Sequence, residues 1–138
     1  MEKVKRGQIS TEYLIVIAFV TFLIISVLGL SLFYSSQIND QIKFDQINSF
    51  ANKVISSSEQ VFFSGEPSRI TITTYLPSGV DSINVLNDSI VFGVLSSSGL
   101  TTLSYNSDVP LYGTISNSGG AKRISIVANL SNINLVDA

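Results

Sequence analysis

The sequence predicts an α+β fold: one long N-terminal hydrophobic and amphipathic α-helix followed by a small antiparallel β-sandwich. Three observations carry that expectation. An uncharged apolar run extends from Leu14 to Phe33, and apolar positions then recur at spacings near three and four. Beyond Ser64, short runs rich in Ile, Val, Thr and Tyr alternate with turn-forming residues.

The apolar run of about 20 residues, at a helical rise of about 1.5 Å each, spans a hydrocarbon layer of about 30 Å. Lys3, Lys5 and Arg6 precede it, whereas only Asp40, Lys43 and Asp45 follow closely. The positive-inside rule therefore keeps the N-terminus in the cytoplasm and directs the remaining chain outward. A secretory signal begins in the same way, but its apolar region is shorter, roughly 7 to 15 residues, and ends at a small-residue cleavage site. Such a site can be argued at Gly29 or at Ser35 and Ser36, although the length of the run favours a helix that is retained.

After the run, Ile38, Ile42, Ile47, Phe50, Ala51, Val54 and Ile55 form the stripe of an amphipathic helix among Asn, Asp, Gln, Lys and Ser. With no Pro before Pro67, one continuous helix is expected from about Ser10 to about Gln60, on the order of 75 Å long. Gly29 is its weak point, costing roughly 1 kcal/mol relative to Ala; it is either simply tolerated or admits the close approach of another helix.

The stretch Ser64-Gly65-Glu66-Pro67-Ser68 breaks the helix. Strands follow at Ile70–Leu76, Ser82–Leu86, Ser89–Leu95, Thr101–Tyr105, Leu111–Ser116, Arg123–Leu130 and Ile133–Val136. Turns fall at Pro77-Ser78-Gly79, Asn87-Asp88, Ser97-Ser98-Gly99, Asn106-Ser107-Asp108 and Ser118-Gly119-Gly120. Alternation through Ile124, Ile126, Ala128 and Leu130 places one face of a sheet on a core to which the amphipathic helix contributes.

Composition narrows the chemistry. Charged residues make up 13% of the 138 residues, against about 25% in a typical soluble domain, and hydrophobic residues 45%. The absence of Cys removes disulfides and thiolate metal sites, and the absence of His removes the usual general base. No metal site, cofactor or catalytic residue is expected. The carboxylates Glu59, Glu66, Asp81, Asp88, Asp108 and Asp137 are scattered without EF-hand spacing and read as turn formers and solubilising charges. The serines lack the His of a familiar triad, and Ser56-Ser57-Ser58 and Ser96-Ser97-Ser98 read as caps or linkers. No Gly-rich phosphate loop leads from a strand into a helix.

The net charge is -2, from 8 basic and 10 acidic side chains; cutting after Gly7 would leave 5 and 9, so nucleic acid is not expected as a partner. The remaining basic pair, Lys122-Arg123, reads as a solvated strand start. In an outward-facing domain, Asn87-Asp88-Ser89 and Asn129-Leu130-Ser131 match the N-glycosylation acceptor pattern. Asn87 falls in a hairpin turn and is the better acceptor; Asn129 is expected within a strand.

Glu12 stands at the lip of the apolar run, where a carboxylate costs less than the roughly 2.5 to 3.5 kcal/mol of the membrane centre. It is either an interfacial charge or an assembly residue. In the second case, cleavage after Gly7 creates an α-amino group on Gln8, and staggered packing of apolar helices pairs that amine with Glu12 of another copy.

Lys5-Arg6-Gly7 followed by Gln8-x-Ser10-x-Glu12 resembles the class III signal peptide of archaeal type IV pilins, with the motif Gln-x-Ser-x-Glu. The family often has Leu at the ninth mature position; this chain has Val16, which preserves apolarity. The resemblance is specific over about the first 35 residues, and the plan of helix plus β domain, a type IV pilin-like lollipop, follows it more loosely. It implies a leader at 1–7, a helix at 8–63 serving as membrane anchor and then filament core, and an outward β domain at 64–138. It further implies that a prepilin peptidase recognises Lys5 and Arg6 and cuts between Gly7 and Gln8, with Gln8, Ser10 and Glu12 serving assembly. Implied partners are identical subunits, an assembly ATPase, a membrane platform, and surfaces or other cells.

The function so implied is a structural subunit of an archaeal type IV adhesion pilus, inserted in the cell membrane as a precursor and then carried in an extracellular filament. The alternatives are a minor pilin or sugar-binding pseudopilin, and a single-pass anchored surface domain that does not polymerise. An archaellar filament subunit shares the leader logic, but the Gln8-x-Ser10-x-Glu12 start and modest length favour a pilus.

Overall fold

The computed structural model describes the backbone of residues 3–138 and the side chains from Ser10 onward. One α-helix, α1 (Lys3–Ser64), precedes seven strands: β1 (Arg69–Leu76), β2 (Val80–Leu86), β3 (Ser89–Ser96), β4 (Gly99–Asn106), β5 (Leu111–Thr114), β6 (Gly120–Ala128) and β7 (Ile133–Asp137). The expected α+β plan is present. The chain divides into two compact units, Met1–Ile38 and Asn39–Ala138.

α1 begins before the expected Ser10 and ends after the expected Gln60. No residue between Lys3 and Ser10 breaks a helix, and the interior Gly7 costs only about 1 kcal/mol. The helix runs through Gly29 without interruption. It stops at Gly65, whose φ of 76° suits the left-handed residue of a C-cap and whose N–H donates to the Phe62 carbonyl at 3.0 Å.

In the second unit the buried stripe of α1 is Ile47, Phe50, Ala51, Val54, Ile55, Ser58 and Val61, the three-and-four spacing of a single helix face. Ile42, expected on that stripe, is instead half exposed, and in the first unit Ile38 is exposed as well. The Ser58 hydroxyl donates to the Val54 carbonyl at 2.8 Å, so its burial leaves no unpaired hydrogen-bonding group.

The strands form a four-stranded sheet, β1-β6-β7-β5, and a three-stranded sheet, β2-β3-β4. Ile90, Phe92 and Val94 of β3, Ile124, Ile126 and Ala128 of β6 and Ile133 and Leu135 of β7 share one core with the α1 stripe. Phe50 meets Phe92 edge to face with centroids 5.9 Å apart, and Phe92 meets Tyr105 at 5.8 Å. The sheets therefore close over a helix as well as over each other's side chains.

One pairing departs from the antiparallel expectation: β5 runs parallel to β7. The chain reverses from β5 to β6 and again to β7, and β5 lies beside β7 rather than β6, so two reversals restore its direction. Gly113 makes that pairing fit, because a Cβ there would collide with the Leu135 carbonyl oxygen. β5 ends at Thr114 rather than Ser116, and β6 ends at Ala128 rather than Leu130.

Candidate assembly segment and outer-domain contacts

The backbone of Lys5, Arg6, Gly7 and Gln8 lies within α1. Their side chains lie outside the described residues, so the expected leader and cleavage groups have no side-chain geometry here. Ser10 and Glu12 are exposed. From Tyr13 to Tyr34 the large apolar side chains point outward around the whole helix, from Tyr13 at 68% exposed to Phe33 at 63%. Among the described residues this is the one helix long and apolar enough to cross a membrane. The Ser26 and Ser36 hydroxyls donate to the Phe22 and Phe33 carbonyls at 2.8 and 3.0 Å, which satisfies them inside the helix. A Cβ on Gly29 would meet nothing within 4 Å.

At the start of the second unit two charged helix residues hold the β3–β4 hairpin. The Asp40 carboxylate accepts from the Ser97 backbone N–H at 2.8 Å and from its hydroxyl at 2.5 Å. Lys43, one turn on, donates to the Leu95 carbonyl at 2.7 Å and lies 3.7 Å from Asp40. Hydrogen bonds from Ser97, aided by the Lys43 ammonium, hold the Asp40 carboxyl below its ordinary value. Ser97, expected in a linker or cap, is thus a fixed point between hairpin and helix. The signal for it in sequence was weak, because a Ser-rich turn carries no mark of its partner.

A second polar centre corrects the expectation for Lys122. Lys122 is buried, whereas Arg123 is exposed. Its ammonium donates to the Ser116 hydroxyl, to the Ser118 hydroxyl at 3.2 Å and to Asp137 at 3.4 Å. The Ser116 N–H also donates to Asp137 at 2.9 Å. Burial pushes the Asp137 carboxyl up, but the Ser116 hydrogen bonds and the Lys122 charge outweigh it and leave the carboxyl below its ordinary value. The alternation through Ile124, Ile126 and Ala128, extended two residues back, reaches Lys122, and that parity was the available signal.

Both acceptor asparagines are exposed. Asn87 occupies the β2–β3 turn as expected, but Ser89 of its tripeptide is buried and the Asn87 carbonyl accepts from the Leu111 N–H at 2.9 Å. Asn129 lies beyond the end of β6, not in a strand, and Leu130 and Ser131 are exposed with it. Asn129-Leu130-Ser131 is the more exposed tripeptide, although the Asn129 side-chain amide donates to the Asn132 side-chain oxygen at 3.0 Å.

Among the described residues no group of three or more metal-ligating side chains converges, and no buried side-chain nitrogen or oxygen lacks a partner. Comparison with protein families, curated proteins and solved structures finds no match to this chain.

Proposed function

We propose that the chain is the structural subunit of an archaeal type IV adhesion pilus, assembled through α1 after a prepilin peptidase cuts between Gly7 and Gln8. The observation that carries this reading is the apolar surface from Tyr13 to Tyr34, exposed on every side and headed by Glu12, on a helix whose other half is built into a β domain. A helix apolar all round is stable in lipid or in a bundle of similar helices, so one segment serves first as anchor and then as filament core.

The charge order of α1 supports processing at its start. Lys3, Lys5 and Arg6 open the helix in sequence with no acidic residue in the first turn, the charge order that a helix dipole disfavours. Cleavage removes all three. It leaves a single α-ammonium on Gln8 at the same dipole end, and Glu12 of a neighbouring copy neutralises it as the helices pack. An assembly ATPase and membrane platform supply the work of extraction, and the β domains face outward to meet surfaces or other cells.

Filaments sheared from cells and analysed by mass spectrometry should contain this chain beginning at Gln8. Glu12→Ala should leave the chain in the membrane but reduce filament yield by at least about tenfold, the effect of roughly 1.4 kcal/mol per contact. Unchanged surface display and function of Glu12→Ala, with no polymer in the parent, would instead establish a single-pass anchored domain.

A further inference from the structure

We propose that the free edge of β4 is a self-pairing site, at which the outer domains of two copies join as antiparallel strands. β4 ends the three-stranded sheet and pairs only with β3. Ser96 and Gly99 close its two-residue hairpin as a hydrogen-bonded pair, so alternation along the ladder turns the backbone N–H and C=O of Leu100, Thr102, Ser104 and Asn106 away from β3. All four residues are exposed, and none of these groups makes a backbone bond elsewhere among the described residues.

β2, the other end of that sheet, lies against β5, and β1, the far end of the four-stranded sheet, is guarded. Lys53 of α1 donates to the Thr73 carbonyl of β1 at 2.8 Å, occupying an acceptor on its outer edge. A charge on or over an edge is the usual protection against strand addition. β4 has none: Gly99-Leu100-Thr101-Thr102-Leu103-Ser104-Tyr105-Asn106 contains no charged residue and no Pro, and its ladder with β3 is free of bulges.

The occupant is a second copy of the same strand. Copies of the processed chain, with 5 basic and 9 acidic side chains, repel one another, and an uncharged strand is where they can meet without opposing like charges. Two β4 strands related by a two-fold axis through Leu103 place Thr102 opposite Ser104 and Leu100 opposite Asn106, each pair exchanging two backbone hydrogen bonds. Leu103 then faces its own copy. The guarded β1 edge disfavours the alternative head-to-tail pairing of β4 with β1.

A two-fold contact closes on itself and cannot propagate a polar helix. Resting on the filament reading, the β4 edge therefore joins subunits of different filaments and associates filaments side by side.

Cysteine cross-linking of the full chain in detergent micelles tests the pairing, since the chain has no Cys of its own. Thr102 and Ser104 are both exposed, so substitution there leaves the core intact. Thr102→Cys mixed with Ser104→Cys should give disulfide-linked heterodimers about tenfold faster than either variant alone, because only the mixed pair brings Cα atoms within about 5.5 Å. Leu103→Cys should cross-link to itself, and Asn84→Cys on β2 should not. Thr102→Lys should abolish lateral association of filaments in electron micrographs while leaving single filaments intact. Cross-linking without preference for these pairs, or none, overturns the proposal and leaves the filament reading standing. Register-specific cross-links from a chain never found to begin at Gln8 would retain the pairing and remove the filament reading.

Discussion

Phe50→Ala tests whether the second half of α1 is part of the outer unit's core or merely a stalk leading to it. Phe50 is fully buried and its ring meets Phe92 edge to face at 5.9 Å. Truncation removes the transfer free energy of the ring, leaves a cavity among side chains that relax only in part, and breaks the aromatic pair. The expected loss is about 3 to 5 kcal/mol, of which about 0.5 to 1.5 belongs to the ring contact. A unit the size of Asn39–Ala138 has a total stability of about 5 to 15 kcal/mol, so the loss is a large share of it. At about 4 to 8 °C per kcal/mol, the melting midpoint should fall by roughly 12 to 40 °C. The assay is thermal unfolding of the full chain in detergent, followed by near-ultraviolet circular dichroism of the tyrosines in the β domain. Ile42→Ala is the comparison: that side chain is half exposed on the same helix and should cost less than about 1 kcal/mol. Equal midpoints for the two variants would refute the shared core.

Two other outcomes follow from the polar contacts. Lys122→Met removes the ammonium beside Asp137, whose side chain is 33% exposed and keeps the Ser116 N–H; the expected cost in urea unfolding is about 1 to 3 kcal/mol, below that of a fully buried pair because water still reaches the carboxylate. Asp40 and Asp137 both titrate below their ordinary value of 3.8 when folded. Their stabilisation is therefore present above about pH 4 and is lost as pH falls through the folded values, so acid unfolding of Asp137→Asn should be less steep than that of the parent.

The strands were legible where local chemistry and pattern agreed. Asn87-Asp88 marked a two-residue turn, and the even positions of β6 marked a buried face. The boundaries near Asn129 were not, because Leu130 continues the alternation of β6 yet stands 91% exposed after the strand has ended. Lys122 shares the buried parity of Ile124, Ile126 and Ala128, but its charge marks it in sequence as solvated. Asp40 and Ser97, 57 positions apart, share nothing in sequence that announces their hydrogen bond.

Periodicity and composition are properties of neighbouring residues, so the order of elements, the apolar run from Leu14 to Phe33 and the absence of His and Cys chemistry are all legible without a structure. The long-range partners were decided by tertiary structure alone. Which face of α1 is buried depends on the sheets that close over Phe50, and whether Lys122 is solvated depends on Asp137 in the next strand. Whether β4 ends a sheet depends on strand order, which brings β5 beside β7 and places β4 at the end of the three-stranded sheet. Local patterns specify strands, but only long-range pairing specifies which strands end a sheet.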